Sequence, residues 1–173
     1  HPLLEAMASG APVVAADIRG LAALLVDAVD SGAAVSFIIP FSVQQAEEWW
    51  RKTLAAAHAR AVFLIARDDN GIAGSVQMHP SWAPHQPHRG DIAKLLVHRR
   101  CRKSGLGTRL MQEVQQAARD EGVRMLVLDT KRGDAAESLY TKLGWTRVGV
   151  IPDYAVDPAG GALHDTVVFW KRV

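Results

Sequence analysis

Apolar residues recur three and four apart from Ile18 to Asp30, so that Leu21, Leu24, Leu25 and Ala28 share one face; this spacing predicts a helix closed by Ser31-Gly32. Ahead of it, Val13, Val14, Ala15 and Ala16 predict a short strand, with Asp17 at the helix N-cap position. Ser42 is a second N-cap, opening a helix through Glu47, Trp49, Trp50 and Leu54 to about His58. The β-branched run Ala61 to Arg67 reads as a strand, and Asp69-Asn70-Gly71 is a hairpin turn that pairs it with Ile72 to Met78. Residues 79–90 hold three prolines and three histidines without periodicity, which predicts an irregular connection. Beyond it come a strand at Ile92 to Val97, a helix from Gly105 to about Asp120 and a strand from Arg124 to Asp129. A helix from about Asp134 to Leu143 and strands near Thr146 to Ile151 and Thr166 to Lys171 complete the chain.

The resulting order, β-α-α-β-β-β-α-β-α-β-β, predicts an α/β single-domain fold with a mixed central sheet flanked by helices on both faces. The chain of 173 residues, 49% hydrophobic and 22% charged, suits one domain with a sizeable core. Its apolar runs, such as Ala61 to Ala66, fall far short of the roughly 18 residues needed to span a bilayer. The opening segment lacks a basic region ahead of an apolar core, so no secretory signal is expected. One cysteine, Cys101, permits no internal disulfide, and a reducing, cytoplasmic setting is the expectation.

Net charge is +2, from 20 Lys+Arg against 18 Asp+Glu, which argues against a general nucleic-acid surface. Dividing it changes the picture. Lys94 to Gln112 carries six basic residues (Lys94, Arg99, Arg100, Arg102, Lys103, Arg109) and no acidic one, so the remainder has 20 − 6 = 14 basic against 18 acidic, a net of −4. No base-stacking aromatics interleave with the run Arg99 to Lys103, so neither nucleic acid nor membrane is an expected partner.

In this basic stretch a buried strand leads into a turn with Gly105 and Gly107, and an amphipathic helix follows with Leu106, Leu110, Val114 and Ala117 inward. Such a turn aims unpaired amide N–H groups and the positive end of a helix dipole at one point, a site for an anion and above all a phosphate. It is not a P-loop, which has four residues between its glycines and a Lys-Ser/Thr pair after the second, nor a dinucleotide fingerprint, which has a third glycine.

The turn resembles the signature of the GCN5-related N-acetyltransferase (GNAT) family, Arg/Gln-x-x-Gly-x-Gly/Ala, matched by Arg102, Gly105 and Gly107. A second stretch, Ala136-Glu-Ser-Leu-Tyr140 through Gly144-Trp145, resembles the family's later helix motif. The sequence departs from the family at Lys103, where glycine is frequent, at Arg99, where proline is common, and at Gly133, where asparagine is. The resemblance implies a GNAT-like domain over 12–173 behind an N-terminal extension, 1–11. It also implies acetyl-CoA as cosubstrate, without metal. The pyrophosphate would lie on Arg102, Lys103, Ser104, Gly105, Leu106, Gly107 and Thr108, and the acetyl-pantetheine arm along Leu95, Leu96 and Val97. A narrower likeness, to acetyltransferases that inactivate an amino-acid toxin, is carried by Leu128-Asp129-Thr130, Ala136-Glu137, Thr146 to Gly149 and the tail from Pro152 to Lys171.

The implied reaction moves an acetyl group to a primary amine of a small molecule, an amino-acid-like toxin or antibiotic among the candidates, by direct attack. Alternatives are acetylation of a protein N-terminus or lysine, and a non-catalytic acyl-CoA-binding module; the chain would act as a monomer or homodimer. Tyr140 is the candidate acid for the departing thiolate, and otherwise a core aromatic. Asp129 is the candidate base, and otherwise a cap for Thr130 to Gly133; Glu137 and Asp91 are further options. His79, His85 and His88 lack paired ligand spacing and are expected on an exposed loop, one of them able to line the substrate mouth. Cys101 lies among arginines that favour its thiolate, but no His/Asn partner can be assigned to it. Trp49-Trp50 reads as one core and one half-exposed ring in the acceptor wall. Glu5 to Ala15 resembles a donor-binding segment of retaining glycosyltransferases, whose fold needs two large domains that nothing else here supplies.

Overall fold

The computed structural model describes residues 2–7 and 15–173, the side chains of 15 and 16 excepted. A seven-stranded sheet runs in the order β1-β2-β3-β4-β5-β7-β6. Its strands are β1 (Leu3–Met7), β2 (Val62–Asp68), β3 (Gly71–Pro80), β4 (Arg89–Val97), β5 (Met125–Lys131), β6 (Thr146–Val156) and β7 (Leu163–Arg172). The helices are α1 (Ala15–Asp30), α2 (Val43–Ala55), α3 (Leu106–Asp120) and α4 (Ala135–Lys142). None of the described helices is long and apolar enough to cross a membrane.

Strand alternation divides the core. Val62, Leu64, Val76, Met78, Ile92, Leu126, Leu128 and Phe169 face α3 and α4, meeting Leu106, Leu110, Met111 and Val114. Phe63, Ile65, Ile72 and Leu96 form a second cluster with α1 and α2, where Leu21, Leu24, Leu25 and Trp50 are fully covered. Each such side chain stabilises the fold by about 1.5–3 kcal/mol. Trp50 is buried, with its indole N–H donating to the Leu21 carbonyl at 3.1 Å, while Trp49 is half-buried, as the paired tryptophans led one to expect. Ser42 caps α2 in a reciprocal box: its hydroxyl accepts from the Gln45 amide at 3.1 Å and the Gln45 side chain accepts from the Ser42 amide at 2.9 Å. The two-residue turn Asp69-Asn70 closes the β2–β3 hairpin, with Gly71 at φ +108°.

Several elements differ from the sequence expectation. Of the strand expected over Val13 to Ala16, Val13 and Val14 lie outside the described residues, and Ala15 and Ala16 open α1 instead. Asp17 therefore sits in the first helical turn, where its charge suits the dipole and Arg67 donates to it. Within segment 1–11, Leu3–Met7 pairs antiparallel with β2, from Leu3 opposite Arg67 to Met7 opposite Phe63. β3 runs on to Pro80 and β4 starts at Arg89, so His79 belongs to a strand rather than a loop; His85 and His88 are exposed in the connection. Helix α2 stops at Ala55, while β6 reaches Val156.

Two irregularities shape the centre of the sheet. Ser75 pairs with Leu96 but Gln77 pairs with Ala93, so Lys94 and Leu95 together oppose Val76 in a β-bulge, with Lys94 at φ +52°. β4 and β5 are parallel neighbours over only three rungs, Arg89 to Asp91 against Met125 to Val127. Past the last rung the strands part.

Candidate active site

Where β4 leaves β5, a cleft of about 630 Å³ opens between the end of β4, the turn before α3, the face of α4 and the C-terminal end of α1. Nine of the ten residues assigned from the sequence to cofactor binding line it: Leu95, Leu96, Val97, Arg102, Lys103, Gly105, Leu106, Gly107 and Thr108. Ser104 does not; its hydroxyl turns back to donate to the Cys101 carbonyl.

The turn supplies donors without a side-chain cap. Gly105 occupies the N-cap position at φ +82°, and the first amide to find a helical carbonyl is that of Arg109, to Gly105 at 3.1 Å. The amides of Leu106, Gly107 and Thr108 therefore remain free at the positive end of a fifteen-residue helix. Lys103, where the family favours glycine, also has positive φ, +58°. Lys103→Gly is expected to raise the unfolding free energy by roughly 0.5–1 kcal/mol, since left-handed strain of about 1–2 kcal/mol is only partly offset by the added freedom of the unfolded chain. The same change removes an exposed cation, so acetyl-CoA affinity should fall about two- to fivefold. Denaturant titration and calorimetry read the two effects separately.

The basic run is less available to an anion than its count suggests. Arg99 is bound to Asp27 of α1 through both its backbone amide and its guanidinium. Arg100 makes two bonds to Asp68, at 3.0 and 3.1 Å, which hold that carboxyl down at about 2. Arg109 donates to the Pro2 carbonyl at 3.0 Å, and Lys94 points elsewhere. Arg102, only 3.8 Å from Asp27, and Lys103, without an ion pair among the described residues, are the two cations of the run that line the cleft. Cys101 also lines it, but as a thiol: burial and the adjacent Asp68, to which its Sγ donates at 3.3 Å, push its pKa up despite Arg100. The arginines expected to favour a thiolate are spent on the aspartates.

Tyr140 lies on α4, 5% exposed, with its ring against Trp145 and Phe169. Burial, with the nearby charge of Asp129 adding to it, holds the phenol well above its ordinary pKa. On the opposite sheet face, Asp129 follows the last β4–β5 rung by two residues, and its carboxylate accepts the Thr166 hydroxyl at 2.9 Å. No amide from Thr130 to Gly133 donates to it among the described residues; the Gly133 amide goes to Glu137 at 2.7 Å, so Glu137 has the capping role. Asp91 pairs with Arg89 at 2.7 Å. His79, on the acceptor face beside Gln77 and Phe63, is held below the usual histidine value by burial. Among the described residues, no group of three His, Cys, Asp or Glu side chains is arranged to hold a metal.

The sequence reading passed over two parts of the lining, the α1 end (Ala28, Ser31, Gly32) and Asp134 and Lys142 at the two ends of α4, and it also passed over Lys94, which turns toward Trp49 and Phe37 instead. Lys94 had a signal, being the one charge inside the apolar run Ile92 to Val97.

Residues 19–145 match the family model described as "Acetyltransferase (GNAT) family". An L-methionine sulfoximine/L-methionine sulfone acetyltransferase from Pseudomonas paraeruginosa is 28% identical over 139 residues, 79% of each chain. Among solved structures, a ribosomal-protein-alanine N-acetyltransferase from Brucella melitensis superposes with TM-score 0.79 at 20% identity, covering 99% of both chains. The protein yncA from Salmonella typhimurium, solved with its cofactor acetyl-CoA, gives TM-score 0.77 at 18% identity, covering 99% of this chain and 94% of its own. At these identities the structural likenesses establish the fold.

Proposed function

Because the chain belongs to the acetyltransferase (GNAT) family, we propose that it moves the acetyl group of acetyl-CoA to the primary amine of a small, amino-acid-like molecule by direct attack on the thioester. One observation carries this reading: a single cleft holds both the free helix amides at the start of α3 and the stretch of β4 beyond its last rung with β5, Leu95 to Val97. The amides of Leu106 to Thr108, with Arg102 and Lys103, suit a pyrophosphate. Leu95 to Val97, of which Leu96 and Val97 pair with β3 and none pairs with β5, offer backbone groups for the pantetheine arm and an N–H to polarise the thioester carbonyl. Asp129 takes the ammonium proton of the acceptor, and Tyr140 gives its proton to the departing thiolate.

A small acceptor is favoured over a polypeptide by the roof of the site. The loop between α1 and α2 is tied to the β6–β7 turn by the Ile39 amide donating to the Pro158 carbonyl at 2.8 Å, a tie expected to narrow the approach that a protein chain would need. The relatives' named substrates, methionine sulfoximine and sulfone, are small amino acids and support the same choice.

Calorimetric titration with acetyl-CoA, followed by mass spectrometry of an amine panel, tests the reading. Binding with one acetyl group added to a small amine is the expected result. Binding without turnover of any amine would leave an acyl-CoA sensor, and no binding would overturn the proposal. Asp129→Asn should lower kcat/KM about 10²-fold at pH 7, and the deficit should shrink as rising pH supplies neutral amine. A pH-independent deficit would remove Asp129 from proton transfer.

A further inference from the structure

Lys94 sits at the bulge of β4 in a backbone conformation that residues other than glycine rarely adopt. Its ammonium lies 5.5 Å from the ring centroid of Trp49 and 6.0 Å from that of Phe37, and it donates to the Ser36 hydroxyl at 3.0 Å. One of its three protons is thus taken by the protein, and the aromatic faces favour the cation without using up the others. Burial lowers its pKa below the usual lysine value, and the charge of Asp129 opposes that shift. The last rung between β4 and β5 is Asp91 opposite Val127; Lys94 and Asp129 stand three and two residues beyond it, on the two strands that diverge. One cation and one anion therefore stand near each other on the two strands just past the point where these part.

A free α-amino acid carries the inverse pair, an ammonium and a carboxylate on one carbon. We propose that Lys94 is a specificity-determining residue that binds the α-carboxylate of the acceptor while Asp129 receives its ammonium group, which makes free α-amino acids the substrate class. This rests on the transferase reading above and narrows it. A peptide N-terminus presents an amide where Lys94 needs an anion, and a polyamine sets a second cation against it. A simple amine leaves the half-buried Lys94 ammonium without an anionic partner, which is the asymmetry that disfavours it.

The test pairs L-amino acids, beginning with L-methionine sulfone, with the amines formed by their decarboxylation, on the wild type, Lys94→Met and Lys94→Arg. The wild type should prefer an amino acid over its amine by roughly 30-fold or more in kcat/KM, the discrimination expected of a hydrogen bond to a charged group. Lys94→Met should collapse that ratio to within about threefold, with the loss lying in KM, and Lys94→Arg should restore part of it. A wild type that treats both members of each pair alike overturns the proposal. So does a Lys94→Met enzyme that slows both equally, since a residue that only straps the α1–α2 loop would act that way. If acetyl-CoA binds but nothing is acetylated, it is the transferase reading that fails. Calorimetry of L-methionine sulfone on the CoA-loaded protein then decides Lys94: binding lost in Lys94→Met sustains its role, and binding absent from the wild type or equal in both overturns it.

Discussion

Tyr140→Phe is expected to lower kcat about 10²-fold while the dissociation constant of acetyl-CoA stays within about twofold. Among the hydrogen bonds of the described residues none involves the Tyr140 hydroxyl, and the ring is held between Trp145 and Phe169, so its loss leaves packing intact and removes one proton donor. The environment also dictates a pH signature. Burial and the Asp129 charge both disfavour the phenolate, so the acid form persists above the ordinary tyrosine value of about 10. A group with a raised pKa keeps its proton as pH climbs, so the rate should show no loss assignable to Tyr140 between pH 7 and about 10. Stopped assays of free CoA release across that range provide the measurement. An unchanged kcat in the phenylalanine variant would remove Tyr140 from the chemistry.

Gly107→Leu should weaken acetyl-CoA binding at least about 100-fold without unfolding the protein. A β-carbon at Gly107 would stand 3.4 Å from Leu139 Cδ2 and 3.9 Å from Val97 Cγ2, ordinary contact distances to two side chains that also line the cleft. The fold therefore has room for the first carbon, and the helix gains up to about 1 kcal/mol in propensity, but the rest of a leucine fills the space the ligand needs. Gly105→Ala is the control. Its β-carbon would meet nothing within 4 Å, yet the residue is at φ +82°, so it should cost about 1–2 kcal/mol of stability and leave most of the affinity. Thermal melts and calorimetry on the two variants separate a glycine needed for space from one needed for its backbone angle. Equal binding by Gly107→Leu and wild type would move the ligand out of this cleft.

What could be read from the sequence was set by short-range chemistry. The Asp69-Asn70-Gly71 hairpin, the Ser42 cap and the Gly105-Leu106-Gly107 helix start each depend on a few neighbouring residues, and each is where the sequence placed it. The elements it misjudged depend on distant partners. Leu3–Met7 is a strand because β2 presents an edge to it, and His79 is in a strand because β4 continues to Arg89 opposite. The basic run was visible as charge, but Asp27 and Asp68, which absorb Arg99 and Arg100, lie 72 and 32 residues away along the chain. Lys94 was visible as an isolated charge; that it reaches Trp49 and Phe37 depends on a bulge whose register only the paired strands define.

The three rungs between β4 and β5 have a consequence for the molecule as a material. Strands β1 to β4 and strands β5 to β7 are two slabs of sheet stitched at one end, and along the rest of that seam the backbone groups of β4 have no neighbouring strand. A ligand bound along the seam, as proposed above, would complete the sheet, and its binding energy would add to the cohesion of the two slabs. Saturation at 100 times the dissociation constant contributes about 2.7 kcal/mol to a fold of ordinary marginal stability. With the cosubstrate proposed above in that seam, the resistance of this protein to heat and proteolysis is expected to rise with the concentration of that ligand.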